Sequence, residues 1–166
     1  IYKGRNFLNT ANLSYDIDTN HSVGFNYTGN MYERHEKDLV RPSRPGLIAP
    51  EIATHIVGLG YKLVALQKKF SATVFGKYFI RETELNTVKN TENGQKDSLL
   101  RSGFQQPGYG IAASYFIIPQ LQFKTSFENT YRLPESEEML GNGLNILSNP
   151  LLRPEHSNNF NAELQS

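Results

Sequence analysis

Polar and apolar residues alternate along most of this chain, and a period of two predicts β-strands with one polar and one apolar face. The pattern is clearest between Leu121 and Leu133, where Phe123, Phe127 and Tyr131 share the apolar face. The same period returns in six further segments, at residues 7–17, 23–31, 57–63, 70–80, 109–117 and 160–164. An all-β fold of about seven strands is therefore predicted over residues 1–166.

The segments between these strands alternate in length. Short turns are predicted at residues 18–20, 67–68 and 119–120, and long polar connections at residues 33–51, 86–108 and 134–159. In an antiparallel meander, this order places every long connection at the same end of the sheet. Outer-membrane barrels have this asymmetry, with short periplasmic turns and long extracellular loops. The sequence thus predicts an antiparallel meander that is a section of a large transmembrane β-barrel.

In such a barrel the apolar residues face lipid and the polar residues face the interior. The predicted lipid-facing residues are Phe25, Tyr27, Leu59, Tyr61, Val74, Tyr115, Phe123 and Phe127. The predicted interior residues are Asn26, Lys62, Lys77, Lys124, Glu128 and Arg132. The residues from Leu121 to Leu133 span roughly 40 Å of strand, which a tilt near 45° reduces to about the height of the apolar band of such barrels.

Composition excludes several classes of protein. A formal net charge of +1 with 20% charged residues does not indicate a nucleic-acid-binding protein. The absence of cysteine excludes disulfides, thiolate metal sites and cysteine nucleophiles. No run approaches the roughly 20 apolar residues of a transmembrane helix. The mean hydropathy of −0.49 does not separate a barrel from a soluble β protein, because interior polar residues dilute the hydropathy of barrel strands.

No catalytic arrangement is recognisable in the sequence. The carboxylates of Glu135, Glu137 and Glu138 fall in a predicted loop, which does not hold two acids at the fixed separation that glycosidases need. Gly108, Gly110 and Ala113 have the spacing of a dinucleotide-binding fingerprint, but a strand follows them where the fingerprint requires a helix. The four histidines are scattered along the chain. We expect no enzyme activity, no metal site and no cofactor.

A soluble β protein is the alternative that the pattern leaves open. Strands of β-sandwiches and lipocalin-like barrels also alternate, and long loops at one end are a common place for a ligand site. In that case the chain would be a soluble binding module, for which carbohydrate is a candidate ligand. A structural β-domain of a larger envelope assembly is a third class.

The stretch from Leu121 to Leu164 closely resembles a signature of TonB-dependent receptors, the outer-membrane β-barrels of Gram-negative bacteria. The matching features are a strand ending in TYRLPESEEM, an interval rich in Gly and Asn, and NPLLRPEHSNNFNAEL opening the next strand. The sequence of this stretch is most like that of receptors from Bacteroides-type bacteria. The match covers residues 52–166 well and the earlier strands only by pattern.

The resemblance implies a receptor that takes up a scarce nutrient of the siderophore, cobalamin or glycan class. Uptake in that family requires a plug domain and its partner TonB, and the barrel is surrounded by outer-membrane lipid. We expect residues 1–166 to be part of a larger barrel, whose plug and closing strands lie outside this sequence. Lys124, Glu128 and Arg132 are then the residues expected near the plug.

The long connection at residues 33–51 is basic and contains three prolines. A basic extracellular loop attracts anionic ligands or the phosphates of lipopolysaccharide. The candidate loop residues for such contacts are Arg34, His35, Arg41 and Arg44. The nutrient itself is not predicted by the sequence.

Overall fold

The structure is a computed structural model that describes residues 2–36, 50–91, 94–140, 149 and 151–166. The described residues form one seven-stranded antiparallel sheet in which each strand pairs with the next in the chain. Its strands are β1 (Tyr2–Asp16), β2 (His21–Glu36), β3 (Glu51–Ala65), β4 (Phe70–Thr91), β5 (Gly94–Ile118), β6 (Leu121–Arg132) and β7 (Glu155–Gln165). A five-residue helix, α1 (Ser136–Leu140), follows β6. The predicted all-β antiparallel meander is confirmed.

The three short turns lie where the alternation predicted them, and local chemistry explains the first. The Asp18 carboxylate accepts hydrogen bonds from the backbone N–H groups of Asn20 and His21, at 2.7 and 2.9 Å. An aspartate that bonds the backbone two or three residues further on stabilises a tight reversal of the chain.

Among the residues that the structure describes, the helical segment is too short and too polar to span a membrane.

The prediction of a loop at residues 86–108 was wrong. β4 and β5 continue to pair residue by residue from Glu84↔Arg101 to Thr91↔Gly94, so most of this segment is a long hairpin. The arms pair through backbone hydrogen bonds, which need no apolar face. A prediction that depended on alternating hydrophobicity therefore ended these strands too early. At its base, the Arg101 guanidinium forms a 2.8 Å ion pair with Glu84.

The predicted loop at residues 33–51 is shorter than expected at its start. β2 continues to Glu36, so Arg34 and His35 lie in a strand and not in a loop. The backbone N–H of Arg34 donates to the Pro50 carbonyl at 3.2 Å, and the Arg34 side chain is buried. Arg41 and Arg44 lie outside the described residues.

The register confirms that the two predicted sets of side chains lie on opposite faces of the sheet. Directly paired residues of neighbouring strands share a face of the sheet. Between β3 and β4, Leu59 pairs with Gly76 on the predicted lipid-facing side, and Gly58 pairs with Lys77 on the predicted interior side. We call these the apolar face and the polar face. The buried side chains of Ile52, Phe79 and Thr83 lie on the polar face toward the end with the long connections.

Candidate functional site on the polar face

The middle of the polar face is crossed by an ion pair that spans three strands. Lys77 of β4 reaches over β5 to Glu128 of β6, with 2.9 Å between Nζ and Oε1. The residues of β5 beneath this bridge are Gly108, the partner of Lys77, and Gly110, the partner of Glu128. Since glycine has no side chain, the lysine can lie flat against the sheet, and its Nζ is also 5.1 Å from the centre of the Phe75 ring.

The two glycines of β5 are required by close packing. A Cβ at Gly110 would overlap the Phe75 ring and would lie 2.8 Å from the Phe127 carbonyl oxygen. A Cβ at Gly108 would lie 2.9 Å from the Phe79 ring and 3.0 Å from the Asn129 carbonyl oxygen. The spacing that resembled a nucleotide-binding fingerprint therefore serves side-chain packing within a strand.

The bridge is expected to contribute a measurable but modest coupling energy. Lys77 and Glu128 are about one-third exposed, so solvent screens their attraction. A double-mutant cycle with Lys77→Met and Glu128→Gln, read by denaturant unfolding, should give about 0.5–1 kcal/mol. The Arg101–Glu84 pair is more exposed and is the matched control, for which a smaller coupling is expected. Equal couplings for the two pairs would contradict a special role for the bridge.

Toward the short turns, the polar face contains an open cavity of about 400 Å³. Its walls are mostly small side chains, serine, threonine and alanine, together with one asparagine and two charged residues. The lining residues include Ser71, Thr73, Ser114, Lys124, Asn161 and Glu163. Ser71 and Ser114 bond each other through their hydroxyls at 2.9 Å, and Lys124 donates to the Gln165 side chain.

A charged cluster occupies the opposite end of the polar face. The Arg132 guanidinium bonds Glu138 of α1 at 3.1 and 3.3 Å and Glu155 of β7 at 3.1 and 3.4 Å. Arg81 of β4 is buried, and its Nη1 donates to the Pro134 carbonyl at 2.5 Å. The Arg132 hydrogen bonds and the Glu135 backbone N–H lower the pKa of Glu138, because both stabilise the carboxylate.

The structure therefore places the three predicted plug-facing residues on one face but at three separate levels. Lys124 borders the cavity, Glu128 lies in the central bridge, and Arg132 belongs to the terminal cluster. The sequence did not predict the hydrogen bond between Arg81 and the Pro134 carbonyl. A charged residue at an interior position of β4 was the available signal, but the carbonyl it bonds lies 53 residues further along the chain.

The apolar face is exposed over all seven strands and has a slanted edge. Toward the long connections, its last large apolar residue is Phe7 on β1 and Phe160 on β7. Cross-strand pairing leads from Phe7 through β2 and β3 to Glu82, and from Phe160 through β6 and β5 to Val74. Glu82 and Val74 are eight residues apart on β4. From β1 to β7, the edge of the apolar band therefore shifts by eight residues along the strands, away from the long connections.

Comparisons with known proteins point to the same fold. No protein-family model matches the chain, and no curated protein matches it. Among solved structures, it is similar to the hemophore receptor HasR of Serratia marcescens, a double mutant in complex with its hemophore HasA and heme. The identity is 14% and the TM-score 0.51, over 98% of this chain and 29% of the receptor chain. This chain therefore spans less than a third of the receptor and has the fold of part of an outer-membrane receptor barrel.

Proposed function

We propose that this chain is a section of the barrel of an outer-membrane receptor that takes up a scarce nutrient with the help of TonB. The observation that carries the proposal is the slanted edge of the exposed apolar band. A descent of eight residues is about 27 Å along the strands, and six strand spacings are about 29 Å across them. The corresponding tilt is roughly 43°, within the range of about 35–45° found for strands in outer-membrane barrels.

The height of the band supports the same proposal. On β4 the apolar face extends from Ile80 to Phe70, a distance of about 33 Å along the strand. A tilt of roughly 43° reduces it to about 24 Å, close to the band of about 25 Å in such barrels. A soluble sheet exposing this surface would leave large apolar patches in contact with water, which monomeric soluble proteins avoid. The described strands form one sheet, and none of them packs face to face on another as a sandwich requires.

The polar face then lines the interior of the barrel. Its bridge, cavity and terminal cluster are surfaces for water, a plug or a passing nutrient. We propose a plug outside this sequence as the partner of Lys124, Glu128 and Arg132, and TonB as the partner of the plug. No covalent step is proposed, because the receptor contributes binding and a gated path while TonB supplies the work.

Uptake by cells tests the proposal directly. The complete polypeptide would be expressed in a host without competing receptors, with and without TonB, and offered labelled ferric siderophore, cobalamin, oligosaccharide and heme. Heme is included because the structural neighbour was solved with it. TonB-dependent uptake of one nutrient is expected. Folded protein in the outer membrane that takes up none of the panel in either host would contradict the proposed nutrient classes.

A further inference from the structure

We propose that residues 133–140 form a strap that is latched across the polar face by Arg81, Arg132, Glu138 and Glu155, and that covers part of the barrel mouth until this latch is broken. The position of the strap at a barrel mouth rests on the proposed function. The latch itself rests only on the contacts of the described residues.

The strap is joined to β4 by a side chain that reaches over β5. The Pro134 carbonyl, two residues beyond the end of β6, accepts the hydrogen bond from Arg81 of β4. The cross-strand partner of Arg81 on the intervening strand is Phe104. Two strand spacings amount to about 10 Å, most of which an extended arginine side chain spans, so the Arg81 side chain meets the start of the strap above β5.

The separation of two strands makes room for this turn. Pairing between β5 and β6 ends at Tyr109↔Asn129, although β6 continues to pair with β7 as far as Arg132. Beyond that point, the Tyr131 ring packs edge-on against Phe104 and Phe79, with centroid distances of 5.3 and 5.9 Å. The aromatic contacts fill the widened space and support the start of the strap.

Arg132 supplies the second anchor and ties the strap to β7. Its guanidinium donates hydrogen bonds to both carboxylate oxygens of Glu138. This planar two-point contact fixes the orientation of both side chains better than a single hydrogen bond does. The same guanidinium bonds both oxygens of Glu155, its cross-strand partner on β7. The strap is therefore joined to β4, β6 and β7 at once.

Helix α1 depends on these anchors. A five-residue helix is too short to be stable alone in water. Glu138 Oε2 accepts the Glu135 N–H at 2.8 Å, and the Met139 N–H donates to the Glu135 carbonyl at 3.2 Å. The Met139 side chain is 2% exposed. These contacts make the strap a folded unit that lies against the sheet.

The charges of the latch explain why it would stay closed and how it would open. Two arginines and two glutamates balance one another, and Arg81 is only 8% exposed. Among the described residues, the Nε of Arg81 has no hydrogen-bond partner, so Pro134 is an important contact of this buried cation. Loss of the Arg81 bond leaves a buried guanidinium poorly compensated, and loss of the Glu138 charge removes the two-point contact between Arg132 and α1; either change releases the strap.

A spin label on the strap tests the latch in the complete polypeptide in detergent or membranes. The label is attached through Glu137→Cys, since Glu137 is exposed and this chain has no native cysteine; any cysteines elsewhere in the polypeptide are replaced first. A motionally restricted spectrum is expected in the otherwise natural protein. Arg81→Met and Glu138→Gln should each release a mobile component. Glu135→Gln is the matched control and should not, because Glu135 takes part through its backbone.

Acidification of the labelled natural protein is a second measurement, which can be made even if Arg81→Met fails to fold. Glu138 faces Arg132 of β6, Arg81 of β4 and, through Arg132, Glu155 of β7. Because its pKa is lowered below the ordinary value of 4.5, the latch is fully formed above pH 4.5 and is lost as the pH falls through the lowered pKa. The label should gain mobility in that range, with a smaller change in Glu138→Gln.

The outcomes separate this inference from the proposed function. A mobile label in the natural protein, or a restricted label in both Arg81→Met and Glu138→Gln, would overturn the strap whatever the uptake assay shows. A restricted label that both variants release would support it, even in a protein that transports none of the nutrients. Uptake assays decide the function alone.

Discussion

Arginine in place of Val74 is expected to destabilise the protein in its membrane by about 2–4 kcal/mol, the cost of a cation on the lipid face of a barrel near the bilayer midplane. Val74 is half exposed in the middle of the apolar face, on the central strand of the seven. The same change at an exposed position of a soluble protein alters stability by no more than about 0.5 kcal/mol. The substitution therefore distinguishes the two environments by its magnitude.

The neighbouring residue provides the control. Thr73 lies on the polar face and lines the open cavity, where an arginine has access to water. Thr73→Arg should therefore cost less than Val74→Arg when urea unfolding is measured in lipid vesicles. A harmless Val74→Arg, or equal losses at both positions, would contradict a lipid-facing apolar surface and favour the soluble binding module.

Alanine at Gly110 is expected to destabilise the sheet by about 3 kcal/mol, the upper end of the usual cost of overpacking. The added methyl group would overlap both the Phe75 ring and the Phe127 carbonyl oxygen. The ring can change rotamer, but the carbonyl belongs to the backbone of the paired strand β6. Relief of the second overlap requires β5 and β6 to separate, which also disturbs the bridge between Lys77 and Glu128.

Gly60 is the matched control for Gly110, because it is the cross-strand neighbour of Phe75 on the other side. A Cβ at Gly60 would meet its nearest atoms at 3.8 and 3.9 Å, which is ordinary contact. Gly60→Ala should be tolerated, and alanine even restricts the unfolded chain more than glycine does. Thermal or denaturant unfolding of both variants measures the difference. Similar stability for the two would show that β5 adapts to the extra methyl group.

The strands and their faces were predictable because a period of two is a local property of the sequence. Residues such as Val74 and Lys77 reveal their face by their own polarity and that of their near neighbours. Short turns were equally local, as the Asp18 side chain shows. The hairpin above Glu84↔Arg101 was not predicted, since two polar arms gain their stability from pairing with each other. Similarly, Arg34 was assigned to a loop because its position in β2 has no apolar alternation to mark it.

By itself, the sequence determined an all-β meander, the three short turns and the division of side chains between two faces. Only the tertiary structure decided the slant of the apolar band, the bridge over Gly108 and Gly110, and the contact between Arg81 and Pro134. Each of these depends on the register between strands, which brings together residues up to 53 positions apart. Polarity within a strand shows which face a residue occupies, whereas register decides which side chains on that face meet.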